Sequence, residues 1–424
     1  MTRFTIDHRN FLESLFNEAV AVADPMRVVA AHLPARPAGR LVIIGAGKAS
    51  ARMAEAVEAF YGPCDGLVIT RYGYARPTQS IEIVEASHPV PDAAGVAATR
   101  RLIDLVTGLS PDDLVVALIS GGGSALMCVP SEGLTLDDKM SVNRALLASG
   151  APIDEMNVVR KHLSQVKGGQ LAAACHPAQL LTLLISDVPG DDPCHIASGP
   201  TVGEDSTTKA VLNILGARGI ALPAHIRRAI TEGSSIVSPD DPRLKDAETR
   251  IVAAPSHSIA AATKLAEVAG LDVRNLGSAL EGEARHLGEQ QAQLALSLQS
   301  KLGPNDRPII LLSGGECTVT QRGCGIGGPN AEYVLSAAIT LNGRKGIHIL
   351  ACDTDGVDGA AEVAGAYAGP DTLLVAHETG HDPATSLAQN DAHSFFKSVD
   401  GQVVTGPTLT NVNDFRAILI SPIT

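Results

Sequence analysis

Leu41-Val42-Ile43-Ile44-Gly45-Ala46-Gly47-Lys48-Ala49-Ser50 decides the fold. Four consecutive apolar residues suit a strand buried on both faces, because a half-exposed strand would alternate apolar with polar. The run ends at Gly45, and Ala49, Met53, Val57 and Phe60 follow at the spacing of one helix face. Strand, glycine turn and helix in that order form the repeating unit of a parallel α/β sheet. The unit recurs at residues 67–70, at 114–119 running into Ser120-Gly121-Gly122-Gly123, and at 180–185 running into Ser186-Asp187-Val188-Pro189-Gly190.

Upstream, Phe11, Leu15, Ala19 and Val22 recur at helical spacing and predict an amphipathic packing helix. Downstream, TEGSSIVSPDDPRLKD at 231–246 is polar, holds two prolines and has no sustained period, which reads as a connection. A second series follows: a strand at 251–254, a helix from about Ser258, residues 309–312 into Ser313-Gly314-Gly315-Glu316, and 347–351 into Asp353-Thr354-Asp355-Gly356. The expected fold class is therefore α/β with two domains, each a mostly parallel sheet flanked by helices, and an active-site cleft between them. The expected domains are 1–235, Rossmann-like, and 236–424, with the last residues able to pack back on the first. VVALISGGGSA and PIILLSGGECT echo each other, either as an internal duplication or as two uses of one loop geometry.

A chain of 424 residues exceeds one ordinary core, and 45% hydrophobic residues provide enough apolar surface for two. The net charge of −13, the absence of Trp and only 3% aromatic residues argue against a nucleic-acid binder, which needs basic stripes and stacking platforms. Seven cysteines without a C-x-x-C pair read as reduced thiols of a cytoplasmic protein. The charged start MTRFTIDHRNFLESLFNEAV lacks an unbroken apolar signal region, and no membrane association is expected.

In so acidic a chain, cations beside glycine-rich loops carry weight. Gly45, Gly47 and Lys48 combine close backbone approach, a helix N-terminus and a full charge, which is the chemistry of an anion site. A plain tight turn with an exposed lysine is the alternative. The stretch is not a Walker loop, since Val42 replaces its first glycine and Ala49 its Ser or Thr. Ser120, Gly121, Gly122, Gly123 and Ser124 can form a nest of N–H groups around phosphate, and no hydrolase elbow, because Leu126 stands where the last glycine belongs. Arg160 and Lys167 lie two helical turns apart in VRKHLSQVKGG and can face one groove, or a solvated basic face. Asp187 and Asp353 directly follow buried strands, so they suit a magnesium ion, which takes one or two carboxylates with phosphates and water. Asp191, Asp192 and Asp358 read as caps or turn residues. Ser313-Gly314-Gly315-Glu316 and the glycine-rich 323–328, anchored by a helix from about Asn330, suit a lid or ligand clamp. His88, His162, His195 and His257 have no metal-ligand spacing and read as structural or surface residues.

LVIIGAGKAS, LISGGGSAL, VRKHLSQVKGGQLA, ISDVPGDDPCHIASGPT, LLSGGECTVT and ACDTDGVDGAAEVAGA, six motifs over about nine-tenths of the chain, together resemble the glycerate 2-kinase family with a C-terminal MOFRL domain. The resemblance implies ATP and Mg2+ as cofactors and phosphorylation of D-glycerate, or a similar hydroxy acid, at its 2-hydroxyl. It implies Lys48, Asp187 and Asp353 as catalytic, with Asp187 and Asp353 on the metal. Gly45, Gly47, Ser120, Gly121, Gly122, Gly123, Ser124, Arg160, Lys167, Glu316, Asn330 and Asp355 are the expected substrate and nucleotide contacts. Where many members read G-G-R-N, this chain has Gly327-Gly328-Pro329-Asn330, so a family arginine is replaced at Pro329, with Arg322 or Arg160 as substitutes. Some relatives, from tartrate use, carry the label hydroxypyruvate reductase. An NAD(P)-dependent reductase is accordingly the rival reading, with Arg71 placed to meet a 2′-phosphate but no acidic residue for a ribose. A non-catalytic sensor of organic acids is the third. A homodimer is left open.

Overall fold

The structure, a computed structural model, describes residues 7–423, so Met1–Ile6 of the charged start lie outside it. The chain divides into two compact units: Pro25–Val252, and a second that joins residues up to Asp24 to those from Ala253 onward.

The first unit is built on a parallel six-strand sheet of order β3-β2-β1-β4-β5-β6. Its strands are β1 (Leu41–Ala46), β2 (Asp65–Arg71), β3 (Glu82–Ala86), β4 (Leu114–Ser120), β5 (Gln179–Ile185) and β6 (Ala247–Ala253). β1 and β4 are buried along their whole length, as the continuous apolar runs demand when helices cover both faces. Val42, Ile44, Val115, Ala117 and Ile119 meet Ala98, Leu102 and Val106 of the helix Ala93–Val106 in one core. A separate apolar cluster gathers Val142, Leu146, Met156, Val159 and Leu163 with Val211, Leu215, Ile226 and Ile230, all from the helical segments between β4 and β6 and their ends.

The expected boundary at 235 falls inside this unit. Residues 251–254, read as the first strand of the second domain, close β6, which extends the first sheet beside β5. A polar connection therefore lies within the unit, because a parallel strand needs a long return before it can pair.

The second unit carries β7 (Asp272–Asn275), β8 (Gly282–Glu283), β9 (Ile309–Gly315), β10 (Cys317–Thr318), β11 (Ile347–Asp353), β12 (Gly365–Ala368), β13 (Gln402–Val403) and β14 (Asp414–Ile420). Six of them form a sheet of order β13-β12-β11-β14-β9-β7; β8 and β10 pair apart. This sheet is mixed rather than mostly parallel. β9 and β11 run the same way, as their strand-helix-strand pattern implies, but β14 inserts between them antiparallel to both, pairing Leu312 with Ala417 and Ala351 with Arg416. The last strand thus completes this unit.

Alternation along these strands sends residues to two cores. Ile310, Leu312, Leu350 and Ala417 meet Leu12, Leu15, Phe16 and Ala19 of the helix His8–Ala21, so the amphipathic first helix covers the later sheet. Leu311, Ile349 and Ile418 meet the helices Ala284–Gln299 and Pro329–Leu341. Among the described residues no helix is long and apolar enough to cross a membrane.

Candidate active site

Register in the first sheet pairs Ala46 with Ile119 and Ser120 with Ile185, so the chain leaves β1, β4 and β5 side by side. Lys48, Gly121–Gly123 and Asp187 consequently emerge along one edge, about 10 Å wide across two strand spacings. Helices of a parallel sheet begin at that edge, which is where such folds gather ligand-binding loops.

The Gly45–Ser50 segment uses its own N–H groups internally. Gly47 N donates to Ile69 O at 3.1 Å, Lys48 N to Gly121 O at 2.8 Å, Ala49 N to Ser120 Oγ at 3.0 Å and Ser50 N to Gly47 O at 3.3 Å. A backbone cradle for phosphate, the expectation for Gly45 and Gly47, is therefore absent there. The glycines serve close packing instead: a Cβ on Gly45 would lie 2.3 Å from Leu118 O, and one on Gly47, at φ +149°, 2.0 Å from Ser120 Oγ. Ser120 is buried and occupied by the same bonds, including one to the Ser50 hydroxyl at 3.2 Å.

Gly122, at φ +82°, turns β4 into the short helix Gly123–Leu126. It is pressed between two side chains: a Cβ here would lie 3.1 Å from His88 Cδ2 and 3.2 Å from Lys48 Cγ. Ser313-Gly314-Gly315 behaves differently, since it stays within β9, so the two echoing stretches do not share a loop geometry.

The Ser124 hydroxyl meets the Ser198 hydroxyl at 2.7 Å. Ser198 belongs to a run of positive φ, Ala197 at 51°, Ser198 at 63° and Gly199 at 57°. Two non-glycine residues in succession there are costly, and such strain persists where surrounding structure over-determines it, often at functional sites. Gly168 N donates to Ser198 O and Gly169 N to Gly199 O, which ties this run to the end of the VRKHLSQVKGG motif. The helix Ile153–His162 stops before Lys167, so Arg160 and Lys167 are not two turns of one helix. They nonetheless line one space.

That space is a cavity of about 490 Å3 within the first unit. Gly122, Ser124, Arg160, Lys167 and Ser198 border it, as do His88 and Lys139. Among the described residues of its lining, those of the Lys, Arg, Asp and Glu types are all basic: Lys139, Arg144, Arg160 and Lys167. Lys167 is 1% exposed and donates to Ala197 O at 3.3 Å. Lys139 is 8% exposed, and its Nζ has no hydrogen-bond partner of ordinary geometry among the described residues; the weakly accepting Cys128 thiol stands beside it. Burial pulls both ammoniums below the usual lysine range, and the neighbouring cations Lys139 and Arg160 pull Lys167 further, to well below it. Arg160 holds Asn143 Oδ1 at 2.8 Å through Nε. Lys161, by contrast, turns away to a buried ion pair with Glu204.

Asp187, half-buried, lies two residues beyond the end of β5 and is not among the residues bordering the cavity. In the second unit Asp353 closes β11 and its Oδ1 accepts from Asp355 N at 2.9 Å, while Asp355, buried, accepts from Val357 N at 2.8 Å. Asp355 thus closes a turn. Asn330 is fully buried and donates to Asp414 Oδ1 at 2.6 Å and Asp358 Oδ1 at 3.3 Å, which ties it into the framework around the helix Pro329–Leu341. Asp358 accepts from Asn330 N and Ala331 N and caps the helix Pro329–Leu341. Burial raises the Asp414 carboxyl, against the lowering pull of Arg416.

The glycine-rich stretch 322–328 is pinned rather than free to swing. Asn390 Oδ1 accepts from Arg322 N and Gly323 N, Asp391 Oδ1 from Ile326 N, and Asn390 Nδ2 donates to Glu332, which pairs with Arg285. Glu316 is exposed at the end of β9. Among the described residues no group of three or more His, Cys, Asp or Glu is arranged for a metal.

Sequence reasoning passes over Lys139, Ser198 and His88 as site residues. Lys139 sits in a helix pattern with no glycine beside it, and Ser198 owes its place to a backbone conformation that composition does not signal. Ser198 does lie within ISDVPGDDPCHIASGPT, one of the six family-like motifs, so its segment carries a visible marker.

Two family profiles match the chain: a domain of unknown function, DUF4147, over residues 11–231, and the MOFRL family over 309–414. A protein of Agrobacterium vitis with the provisional name hydroxypyruvate reductase is 51% identical, over 99% of this chain and 96% of its own length. The D-glycerate 2-kinase of Thermotoga maritima is 37% identical, over 96% of this chain and 97% of its own. The crystal structure of the Thermotoga maritima glycerate kinase superposes with a TM-score of 0.87 at 36% identity, covering 97% of this chain and 99% of that one.

Proposed function

Since this chain belongs to the glycerate kinase family, we propose that it transfers the γ-phosphoryl group of ATP to the 2-hydroxyl of D-glycerate. The observation that carries this reading is the cavity bordered by Gly122, against which the Lys48 side chain lies, whose cationic side chains face no acidic one among the described lining residues, in a chain of net charge −13. Such a concentration of cations has a use when the occupant is a polyanion.

In the reaction, the 2-oxygen of glycerate bonds to the γ-phosphorus, the bond from that phosphorus to the bridging oxygen of ADP breaks, and the hydroxyl proton departs. The transition state is loose, so positioning and charge neutralisation do most of the work. Lys48 supplies a full charge at the strand edge. Asp187, on the same edge, suits the departing proton or a magnesium ion, which needs only one or two protein carboxylates. Bound there, the metal would neutralise phosphate charge. The family resemblance gives Asp353 an acidic role as well.

The name of the Agrobacterium relative keeps a reductase in view. The internally bonded Gly45–Ser50 segment speaks against it, because a dinucleotide fold offers those N–H groups to a pyrophosphate. The test is ADP release by the purified chain with D-glycerate, ATP and Mg2+. No ADP release, together with NADPH oxidation by hydroxypyruvate, would select the reductase.

A further inference from the structure

An ammonium taken out of water without a carboxylate or ligand to meet it is among the least favourable arrangements in a protein. The cavity holds two, Lys139 and Lys167, with Arg160 near them and no acidic side chain among the described residues of its lining. The same lining includes an aliphatic wall of Val90, Met140, Val142, Leu146 and Leu147, most of it from the helix that carries Lys139. A three-carbon hydroxy acid would use little of that wall. At about 490 Å3 the space instead falls in the range of roughly 300–1000 Å3 that encloses larger organic ligands.

We propose that this cavity is the nucleotide site, with Lys139 and Lys167 on the phosphate oxygens, Ser124 and Ser198 as hydroxyl partners, and the aliphatic wall against the base. The inference rests on the kinase reading for the identity of the ligand, and it makes Lys139 a determinant of nucleotide affinity. The first unit then holds the phosphoryl donor through its own residues. Lys139 Nζ, which among the described residues has only the weakly accepting Cys128 thiol beside it, is the group that this ligand would satisfy.

The experiment is calorimetric titration of the full chain and of Lys139→Met with Mg-ADP and, separately, with D-glycerate. Methionine keeps the length and removes the charge. We expect Lys139→Met to weaken ADP at least tenfold and to change D-glycerate affinity less than twofold. Unchanged ADP affinity, or loss confined to D-glycerate, overturns the proposal. Should the variant fail to fold, the unsubstituted protein is labelled with pyridoxal phosphate and borohydride, and its peptides are mapped by mass spectrometry. Label on Lys139 or Lys167 that ADP blocks supports the assignment, whereas label elsewhere, or label blocked by D-glycerate alone, contradicts it. ADP binding that depends on Lys139 in a protein without kinase turnover would sink the kinase reading and leave this site standing. Turnover with ADP affinity indifferent to Lys139 would do the reverse.

Discussion

The Ser124 and Ser198 hydroxyls meet at 2.7 Å, and that contact joins the turn after β4 to a backbone run held at positive φ. The pair ties a helix start to a strained segment at the wall of one cavity. Lys167 is fixed from the same segment, through Ala197 O. Backbone strain, a buried ammonium and a hydroxyl pair therefore depend on one another.

Ser198→Ala removes one hydroxyl of the pair and leaves the positive φ in place. It should lower stability by about 1 kcal/mol, the net worth of an ordinary hydrogen bond. Urea midpoints of the two proteins check this, and a variant as stable as its parent would mean that the contact holds nothing.

Gly122→Ala places a methyl group against His88 and Lys48 at a φ of +82°. Turnover should fall at least tenfold through displacement of Lys48, with a stability loss of about 1–2 kcal/mol from the left-handed backbone. Steady-state kinetics beside thermal unfolding separates the two effects. Full turnover would show that the position of Lys48 does not matter.

Lys48→Met should cost about 100-fold or more in kcat while the protein stays folded, as expected for removal of a charge that acts on the transition state. Circular dichroism and kcat measured on the same sample check it. Near-parental kcat would take Lys48 out of the mechanism.

Much of this arrangement is legible in the residues, and the reason is local. Fully apolar runs such as 41–44 and 114–119 announce buried strands, and the residues next in the chain must sit at a strand end. The short strands β3, β7, β12 and β13 have no such run, and β14, the strand that makes the second sheet mixed, carries Asp414 and Arg416 buried inside it. Those charges disguise a central strand: the two pair with each other at 2.6 Å, but the groups that meet their remaining hydrogen bonds, Asn330, Gly314 and Gly315, lie far away in sequence. Lys139 is hidden for the same kind of reason: a lysine in a helix reads as solvated until three-dimensional packing buries it. The glycines of 45–47 announce a close approach, but only the structure distinguishes approach to a phosphate from approach to Ser120.

Lys139 also gives a pH signature in the absence of ligand. Its pKa is lowered in the folded state, so between the folded value and the unfolded value, near 10.4, the unfolded chain binds more protons and stability rises with pH. Lys139→Met should therefore be more stable than its parent at neutral pH, with the advantage shrinking as pH climbs toward about 10. Urea unfolding at pH 7 and pH 9.5 reads the sign directly. An advantage that grows with pH would contradict the burial of a charged lysine.

In the second unit, Asp358→Ala removes the carboxylate that accepts Asn330 N, Ala331 N and the Asn330 side chain. About 3 kcal/mol of stability should be lost, since a buried charged acceptor leaves several donors unmet. Chemical denaturation measures it, and a loss below about 1 kcal/mol would mean that other groups cap this helix.

The use we propose for the cations at the strand edge of the first unit is phosphoryl transfer to a hydroxy acid, and phosphorus NMR of purified protein with D-glycerate, ATP and Mg2+ puts that to the test. The expected spectrum shows a phosphomonoester on the 2-oxygen of glycerate, formed in step with ADP. Unchanged ATP and glycerate, alongside oxidation of NADPH when hydroxypyruvate is added, would contradict it.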